Sequence, residues 1–479
     1  MTLAKGFMII NGKKIFDSKD TMQVINPATE EVMGEVPVAN KEDIDKTIDI
    51  AQKSFLNWSR ENPRTRSKIL HAAAERVREE AEKIAEILTL EQGKPLKEAR
   101  GEIKVSADIL DFYAEELKRV KGINYWMDSN YIKSQVIYQP IGVIGAITPF
   151  NYPVSLTAFK VAPALATGNT VIVKPSSLTP LSVIYYLNCI IEAGLPDGVL
   201  NCLTGPGGQV VEYLLESPAI GKVSFTGSTE TGRKIMSKAG KYLKKMTLEL
   251  GGNSPVLIFK DADIERAVND CVYRSFRNMG QICNSINRIY VEKSIMDDFV
   301  NSFIDKSKSL VIDNGIKNPD ADLGPMASLE GVIKTEAHIK DALKKGACLK
   351  YGGKKPENFK KGFFFEPTVV TNVNCQMMIM NEETFGPVAP IMGFEGLEEG
   401  IRLSNRSPYG LVSYVYTKDL PKAIYVSENL QFGTVGINNV IGAEVGYPYG
   451  GWKDSGIGVE VSEHALYEYL NLKHIRIKI

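Results

Sequence analysis

The segment KVSFTGSTETGRKIMSKAG, from Lys222 to Gly240, joins a β-rich run to a glycine-bracketed turn and then to a helical run. The turn extends from Gly227 to Gly232 and is neither a G-x-G-x-x-G motif nor a P-loop. Glycines let backbone N–H groups approach a phosphate, and the N-terminus of a helix favours negative charge. By itself the segment therefore fits a phosphate-binding turn and an ordinary strand-to-helix turn equally well.

The same alternation of strand and helix extends outward from this segment. On its N-terminal side, NTVIVKPS is typical of a strand, LSVIYYLNCIIEAGLP of a helix, and VLNCLTGPG of a strand that ends in a turn. A second region of this kind begins at about residue 250. Strands that alternate with helices predict βαβ units and a parallel sheet. The predicted fold class is therefore α/β.

The two ends of the chain carry other patterns. MIINGKKI contains Asn11-Gly12, which predicts a β-hairpin with a type I′ turn. KEDIDKTIDIAQKSFLNW and RTRSKILHAAAERVREEAEKIAEILTLEQGK have the apolar spacing of amphipathic helices, and NYIKSQVIYQPIGVIGAITPF alternates like strands. The tail YEYLNLKHIRIKI is β-like, so we expect it to be able to pair with another chain.

Composition limits the class of protein. A chain of 479 residues suggests roughly two or three domains, and a net charge of zero gives no electrostatic footprint for nucleic acid or an anionic membrane. The six cysteines contain no C-x-x-C pair and only four histidines exist, so we expect no metal site. Scattered cysteines indicate reduced thiols in a cytoplasm. We see no signal-peptide pattern, and no apolar run reaches the roughly 18 residues of a membrane span.

Glu249 stands out in the segment TLELGGNSPVLI because it lies between two leucines and is followed by two glycines. A carboxylate at the end of an apolar strand costs free energy unless it is paired or functional. A raised pKa would suit a general base. A salt-bridged or exposed glutamate at a sheet edge explains the pattern as well.

Cys283 lies in MGQICNSINR, between Gly280-Gln281 and Asn284-Ser285. These small or polar neighbours permit access to a nucleophilic thiol, although free cysteine is also among the most buried residue types. None of the four histidines lies in a polar, glycine-rich segment. If Cys283 is catalytic, a group other than histidine must activate it.

Two further segments place a polar side chain where a predicted strand ends. Asn151 in ITPFNYP could donate its side-chain N–H₂ to an oxyanion, or simply stabilise a turn. Lys174 in VIVKPSSLTP could bind a phosphate or a ribose, or be solvated. Sites for NAD usually carry an acidic residue for the ribose, whereas Ser176 and Ser177 are uncharged.

Together these segments resemble the aldehyde dehydrogenase superfamily over nearly the whole chain. The motifs appear in family order as PFNYP, KPSSLTP, FTGSTETG, LELGG, GQIC, EETFGP and PYGGWKDSG. The resemblance implies NAD(P)-dependent oxidation of an aldehyde to the carboxylic acid. A relative of another class, the CoA-acylating enzymes, lacks the general-base glutamate, and Glu249 is present here.

The resemblance implies a role for each catalytic candidate. Cys283, as a thiolate, would attack the aldehyde carbonyl, and the Asn151 side chain with the Cys283 backbone N–H would hold the oxyanion. After hydride transfer to a nicotinamide, Glu249 would activate the water that releases the acid from the thioester. Glu460 matches a proton-relay position, although Val459 stands where the family usually has arginine.

The resemblance also implies the cofactor contacts. Ser177 stands where NAD-preferring members usually carry a glutamate that binds the ribose hydroxyls. A glutamate would repel a 2′-phosphate whereas serine can hydrogen-bond to it, so we expect NADP to be preferred and NAD to be accepted as well. The implied cofactor-binding residues are Thr148, Pro149, Phe150, Lys174, Ser176, Ser177, Gly207, Gly227, Ser228, Gly232, Leu250, Glu383 and Phe385.

The architecture implied by the family has three parts. A Rossmann-like dinucleotide-binding domain comprises residues 1–120 and 141–249, an α/β catalytic domain comprises residues 250–445, and a small β oligomerisation element comprises residues 121–140 and 446–479. In the family the tail completes a sheet on a partner chain and covers open strand edges. We therefore expect a homodimer or homotetramer.

The aldehyde is less well defined. SFRNMGQIC places Arg277 as in succinate-semialdehyde dehydrogenases, where this arginine helps to anchor the distal carboxylate. Phe159 occupies the position of their second arginine, and PFNYPVSLTAFK is closer to lactaldehyde and non-phosphorylating glyceraldehyde-3-phosphate dehydrogenases. A structural role for Arg277 is equally compatible with the sequence. We favour a short semialdehyde, with Arg277 and Asn284 as substrate contacts.

Overall fold

The computed structural model describes residues 4–127, 131–440 and 442–478. The helices are α1 (Lys41–Trp58), α2 (Pro63–Glu79), α3 (Ala81–Gln92), α4 (Leu96–Glu116), α5 (Pro153–Ala166), α6 (Pro180–Glu192), α7 (Gly207–Glu216), α8 (Thr229–Gly240), α9 (Ile264–Phe276), α10 (Met296–Lys308), α11 (Leu329–Lys344), α12 (Leu397–Asn405), α13 (Leu420–Asn429) and α14 (Glu463–Tyr467). The strands are β1 (Ala4–Lys5), β2 (Met8–Ile10), β3 (Lys13–Ile15), β4 (Thr21–Asn26), β5 (Glu31–Pro37), β6 (Ile123–Tyr125), β7 (Ile132–Pro140), β8 (Val143–Ile147), β9 (Thr170–Lys174), β10 (Leu200–Cys202), β11 (Ile220–Thr226), β12 (Lys245–Glu249), β13 (Ser254–Ile258), β14 (Ile286–Glu292), β15 (Cys348–Tyr351), β16 (Thr368–Thr371), β17 (Val388–Phe394), β18 (Tyr409–Gly410), β19 (Val412–Tyr416), β20 (Thr434–Ile437), β21 (Trp452–Lys453), β22 (Gly456–Ile457) and β23 (Leu470–Lys478).

The first large sheet has the strand order β22, β12, β11, β8, β9, β10, β2, β3. Strands β12, β11, β8, β9 and β10 run parallel, which confirms the predicted parallel sheet. Both β8 and β9 are buried along their whole length, as expected when helices cover both faces of a sheet. The register pairs Ile147 with Lys174 and Thr226 with Glu249. The carboxyl ends of these strands therefore share one edge, where open α/β sheets bind their ligands.

The second large sheet has the order β15, β16, β17, β14, β13, β19, β20 and is parallel except at β15. Cys283 lies in the connection from α9 to the buried strand β14. Because this connection leads into a central strand, the thiol is held between the two sheets, beside the turn that follows Glu249. A Cβ on Gly252 would collide with the carbonyl oxygen of Cys283, so glycine is required for this close approach.

The third sheet has the order β23, β7, β6. The tail strand β23 pairs antiparallel with β7 of the same chain, from Leu470 opposite Pro140 to Lys478 opposite Ile132. Strand β23 lies at the edge of this sheet, so the predicted pairing with a partner chain would use its other edge and stays a prediction. A matching nine-residue strand in the same chain already satisfies its backbone along one edge.

Other sequence predictions are confirmed or corrected locally. Asn11 and Gly12 have φ values of 54° and 71°, as the predicted type I′ hairpin requires. The long helical run starting at Arg64 is two helices, because Glu80 adopts φ −92° and ψ 5° and leaves the helix. Strand β22 pairs with β12, so part of the segment 446–479 belongs to the first sheet and not to the small β element. Among the described residues, no helix combines the length and apolar character that a membrane span needs.

Candidate active site

The sulfur of Cys283 lies 3.4 Å from the hydroxyl oxygen of Tyr449. Burial raises the pKa of the Cys283 thiol to about 12, and the nearby carboxylates of Glu249 and Glu383 add to this, whereas the Tyr449 hydroxyl lowers it. The thiolate is the nucleophilic form of cysteine. Forming it here therefore requires a base and hydrogen-bond donors.

The backbone before Cys283 is strained. Asn278 and Met279 adopt positive φ values of 48° and 57°, and Gly280 follows at 68°. Non-glycine residues in this region cost about 1–3 kcal/mol each and cluster at functional sites. The strain turns the chain sharply between α9 and the nucleophile, and a Cβ at Gly280 would collide with the backbone of Gly386.

Asn151 is fixed against the same turn by three hydrogen bonds. Its side-chain Nδ2 donates to the carbonyl oxygen of Gln281 at 3.0 Å, and its own carbonyl oxygen accepts from Lys94 Nζ at 2.7 Å and from Asn278 Nδ2 at 3.1 Å. One hydrogen of the Asn151 amide stays available, because the N–H₂ group carries two donors. Within the described residues the backbone N–H of Cys283 donates to no other residue and faces its own sulfur. Two donors can therefore face an oxyanion beside the sulfur.

A buried ion pair supports the segment that carries Asn151. Lys94 Nζ lies 2.6 Å from Glu102 Oε2, and both side chains are fully buried. Glu102 Oε1 accepts from the backbone N–H groups of Val154 and Ser155, at the N-terminus of α5. Both charges are thus used to position the loop after β8. Sequence analysis missed this pair, whose only signal is the presence of two charged residues among the apolar positions of α4 and the turn before it.

Glu249 ends β12 and is 4% exposed. Burial raises its pKa well above the usual value, the Glu460 carboxylate raises it further, and the Lys160 ammonium and the Gly451 backbone N–H oppose the shift. Among the described residues, neither carboxyl oxygen has a hydrogen-bond partner of normal geometry. A raised pKa makes the carboxylate a stronger base, which suits the role of a general base.

Glu460 lies close enough to Glu249 for its carboxylate to raise the pKa of Glu249. Its Oε1 atom pairs with Lys160 Nζ at 2.6 Å, and both side chains are buried. The structure therefore brings the predicted Glu249 and Glu460 into one charge cluster with Lys160, which sequence analysis missed. A lone lysine within an otherwise apolar helix was the available signal, because a buried ammonium needs a counter-charge.

A cavity of about 790 Å³ runs from Cys283 along the carboxyl edge of the first sheet. Its size and depth suit an extended organic ligand. Its lining contains two of the four catalytic candidates, Cys283 and Asn151, but neither Glu249 nor Glu460, together with nearly all the predicted cofactor contacts. These are Thr148, Pro149, Phe150, Lys174, Ser176, Ser177, Gly207, Gly227, Ser228, Leu250, Glu383 and Phe385.

Comparison with known proteins identifies this arrangement. Residues 15–475 match the aldehyde dehydrogenase family. The chain belongs to this family. It is an NAD(P)-dependent oxidoreductase that acts on an aldehyde group.

Its relatives resemble this aldehyde dehydrogenase over nearly their full length. A probable succinate-semialdehyde dehydrogenase [NADP(+)] of Sinorhizobium fredii is 41% identical over 458 residues, which cover 95% of this chain and 93% of that protein. A glutarate-semialdehyde dehydrogenase of Pseudomonas putida is 40% identical and covers 98% of this chain and 97% of its own. The crystal structure of an E. coli NADP-dependent enzyme superimposes with a TM-score of 0.97 at 38% identity, covering 99% of this chain and 98% of that one.

The cavity of this aldehyde dehydrogenase fits a dinucleotide cofactor. Lys174 is 3% exposed and donates to the carbonyl oxygen of Pro175 at 2.7 Å, and burial lowers its pKa to about 8. The N-termini of α7, at Gly207, and of α8, capped by Ser228, face the same cleft. Two helix N-termini and a buried lysine suit an anionic ligand. Glu383, which accepts from the Gly252 N–H at 2.9 Å, is placed at the end near Cys283.

Besides Glu249 and Glu460, three predicted site residues do not line this cavity. Gly232 is inside α8 and not on the turn. A Cβ at Gly232 would collide with the Leu250 side chain, so this glycine lets α8 pack against Leu250. Asn284 is buried, with its amide bonded to Arg274 and Tyr449, and does not line the cavity. Arg277 does not line this cofactor cavity and lies instead beside the ring of Tyr152, with its Nε bonded to Glu98 Oε1 at 2.8 Å.

The cavity also has a wall that sequence analysis missed. It is formed by the start of α11, where Ser328 caps the helix and Lys334 Nζ donates to the carbonyl oxygen of Glu383 at 2.6 Å. No motif marks this helix, because it reaches the cleft only through the packing of the second sheet on the first. Within the described residues, no group of acidic, histidine or cysteine side chains could hold a metal ion.

Proposed function

We propose that the protein oxidises a short aldehyde with a distal carboxylate, with succinate semialdehyde as the leading candidate, and that it prefers NADP. The observation that carries the substrate class is Arg277. Its guanidinium lies 5.6 Å from the ring of Tyr152, the residue after Asn151, and its side chain is 28% exposed. Glu98 holds the Nε atom, and within the described residues the two Nη atoms make no hydrogen bond. They can donate a bidentate pair of hydrogen bonds to a carboxylate.

The similar proteins support this assignment. The Sinorhizobium relative is named for succinate semialdehyde and the Pseudomonas relative for glutarate semialdehyde, and both substrates carry a carboxylate at the end opposite the aldehyde. Phe159 is buried and offers no second charge, so a single arginine would anchor the substrate. Lactaldehyde and glyceraldehyde lack this carboxylate and would leave the Nη atoms of Arg277 without an anionic partner.

The proposed mechanism uses the residues around Cys283 in sequence. The Cys283 thiolate attacks the aldehyde carbon, and the Asn151 amide and the Cys283 N–H stabilise the oxyanion of the thiohemiacetal. NADP, held by the cavity residues along the carboxyl edge of the first sheet, would supply the hydride acceptor needed to convert the thiohemiacetal into the thioester on Cys283. Glu249 then takes a proton from the water that attacks this thioester, and the acid is released. The Lys160 ammonium, which is paired with the Glu460 carboxylate, would offset part of the negative charge of Glu249.

Replacing Arg277 by methionine tests the substrate class. We expect kcat/KM for succinate semialdehyde to fall by about 30- to 100-fold, because charge-assisted hydrogen bonds to the distal carboxylate are lost. Butanal has the same chain length without the carboxylate, so its kcat/KM should change by less than about threefold. Initial rates of NADPH formation with both aldehydes provide the measurement. An equal loss for both aldehydes would assign Arg277 a structural role through Glu98.

The preference for NADP is proposed from the environment of Ser177. The side chain is partly exposed, lines the cavity and carries no charge, while Lys174 and the open N-terminus of α7 at Gly207 lie on the same cleft. A 2′-phosphate would find positive potential there and no opposing carboxylate on the loop after β9. Glu212, which also lines the cavity, is ion-paired with Lys238 at 2.9 Å.

Ser177→Glu is expected to shift the ratio of kcat/KM for NADP to that for NAD by about 100-fold towards NAD. The new carboxylate repels a 2′-phosphate, and such like-charge contacts cost several kcal/mol when partly buried. Initial rates at saturating aldehyde measure the ratio. Ser177→Ala is the matched control, since it removes the hydroxyl without adding charge and should change the ratio by less than about fivefold. An unchanged ratio in Ser177→Glu would place the 2′-phosphate elsewhere.

We further propose that the chain forms a homodimer or homotetramer through the sheet of β6, β7 and β23. Large apolar side chains are exposed on this sheet and beside it, including Tyr125, Trp126, Leu472 and Ile477. Large apolar side chains that are exposed together on a three-stranded sheet indicate a protein–protein interface. A cytoplasmic location is proposed from the six free cysteines, which form no disulfide.

A further inference from the structure

A short chain of hydrogen bonds ends on the nucleophile. We propose that Tyr449 is a catalytic residue, whose hydroxyl donates a hydrogen bond to Cys283 Sγ and stabilises the thiolate that attacks the substrate. This inference rests on the proposed role of Cys283. The Tyr449 oxygen lies 3.4 Å from the sulfur, which is an ordinary distance for a hydroxyl-to-sulfur hydrogen bond.

The direction of this hydrogen bond follows from the residues behind Tyr449. Arg274 Nη1 lies 3.0 Å from Asn284 Oδ1, and a guanidinium can only donate, so the oxygen of the Asn284 amide must face it. The Nδ2 group of Asn284 then faces Tyr449 and donates to its hydroxyl oxygen at 3.4 Å. Among the described residues the Tyr449 hydroxyl has no other acceptor than Cys283 Sγ, so its proton is directed towards the sulfur.

The backbone around Tyr449 holds the hydroxyl in place. Tyr449 is 4% exposed, and its N–H donates to the Glu460 carbonyl at 3.1 Å while its carbonyl accepts from the Glu460 N–H at 2.8 Å. Arg274 is buried and also donates to the carbonyl oxygen of Val440. Each donor is therefore fixed before substrate arrives, which is the condition for electrostatic preorganisation.

The charges around Cys283 explain why such a donor is needed. Burial and the carboxylates of Glu249 and Glu383 disfavour the thiolate, and Arg274 reaches the site only through Asn284. Tyr414 is a further phenol near the thiol, but it donates to the carbonyl oxygen of Asn284 at 2.8 Å. Burial also raises the pKa of Tyr449 well above 10, so the phenol keeps its proton and acts as a donor.

Tyr449→Phe tests the proposal with a direct readout of the thiol. The full-length enzyme without cofactor is treated with iodoacetamide at a series of pH values, and alkylation of the Cys283 peptide is followed by mass spectrometry. We expect the apparent pKa of Cys283 to rise by about one unit, and its alkylation rate at pH 7 to fall about tenfold. The rate of NADPH formation should fall by a similar factor, with an unchanged Kd for NADPH.

Tyr186→Phe is the matched control, because Tyr186 is a buried tyrosine in α6 whose hydroxyl has no hydrogen-bond partner among the described residues. It should leave the alkylation profile unchanged. Replacing Tyr449 by 3,5-difluorotyrosine keeps the shape and makes the phenol a stronger donor, so it should lower the apparent pKa of Cys283. This second substitution keeps the test valid if Tyr449→Phe folds poorly.

The outcomes separate this inference from the proposed function. Superimposable alkylation profiles for the wild type and Tyr449→Phe, or a difluorotyrosine shift of the wrong sign, would overturn the role of Tyr449. A wild-type enzyme whose Cys283 is alkylated but which oxidises none of the aldehydes would instead contradict the proposed substrate class. The Tyr449 profile would still support or refute the hydrogen bond in that case.

Discussion

Replacing Cys283 by alanine is expected to lower kcat for aldehyde oxidation by about 10⁴-fold or more, while the Kd for NADPH changes by less than about twofold. Of the six cysteines, only Cys283 lines the cavity, whereas Cys189, Cys202 and Cys271 are buried in the cores. No second thiol is thus placed to replace it. The cofactor contacts lie along the first sheet, and removing one sulfur atom leaves them intact.

The measurement combines steady-state rates with a fluorescence titration of NADPH. Cys348→Ala provides a matched control, because Cys348 is an exposed thiol on β15 and should retain full activity. Turnover in Cys283→Ala within tenfold of the wild type would assign the nucleophile to another group. Loss of NADPH binding along with activity would point to a folding defect, which thermal unfolding of the variant distinguishes.

The parts of the site that sequence analysis predicted share one physical signal. Lys174, Glu249 and Asn151 are polar side chains at or just after the carboxyl ends of strands whose last residues are buried. A polar residue at that position breaks a pattern that burial would otherwise enforce, and parallel strands bring their carboxyl ends together. The sheet and the grouping of these residues were therefore predictable before any geometry was known.

The residues that were missed depend on contacts between distant segments. Lys94 reaches Asn151 across 57 positions, and Lys160 reaches Glu460 across 300. Tyr449 meets Cys283 only because the segment after β20 folds back over the nucleophile. No local spacing encodes such contacts, and each residue alone resembles a solvated lysine or a core aromatic. Gly232 was predicted to lie on the turn because it closes a glycine-bracketed motif in the sequence. In the structure it lies inside α8 and lets this helix pack against Leu250.

Replacing Glu249 by glutamine is expected to stop the reaction after the thioester has formed. The amide keeps the shape of the side chain but cannot take a proton from water, so deacylation should slow by about 10²- to 10⁴-fold. Mixing the variant with NADP and substrate should give a burst of about one NADPH per active site, followed by a slow steady state. Mass spectrometry of the trapped enzyme should place the acyl group on the Cys283 peptide.

The pH dependence gives the same prediction an independent check. Glu249 must be ionised to act as a base, and burial together with Glu460 raises its pKa, so the wild-type steady-state rate should increase as pH rises through that raised value. The steady-state rate of Glu249→Gln should not show this increase with pH. Glu79→Gln, at an exposed position on α2, is the control and should keep both the wild-type rate and its increase with pH. A variant without a burst would show that Glu249 is already needed to deprotonate Cys283, because the proton would then have no other acceptor before hydride transfer.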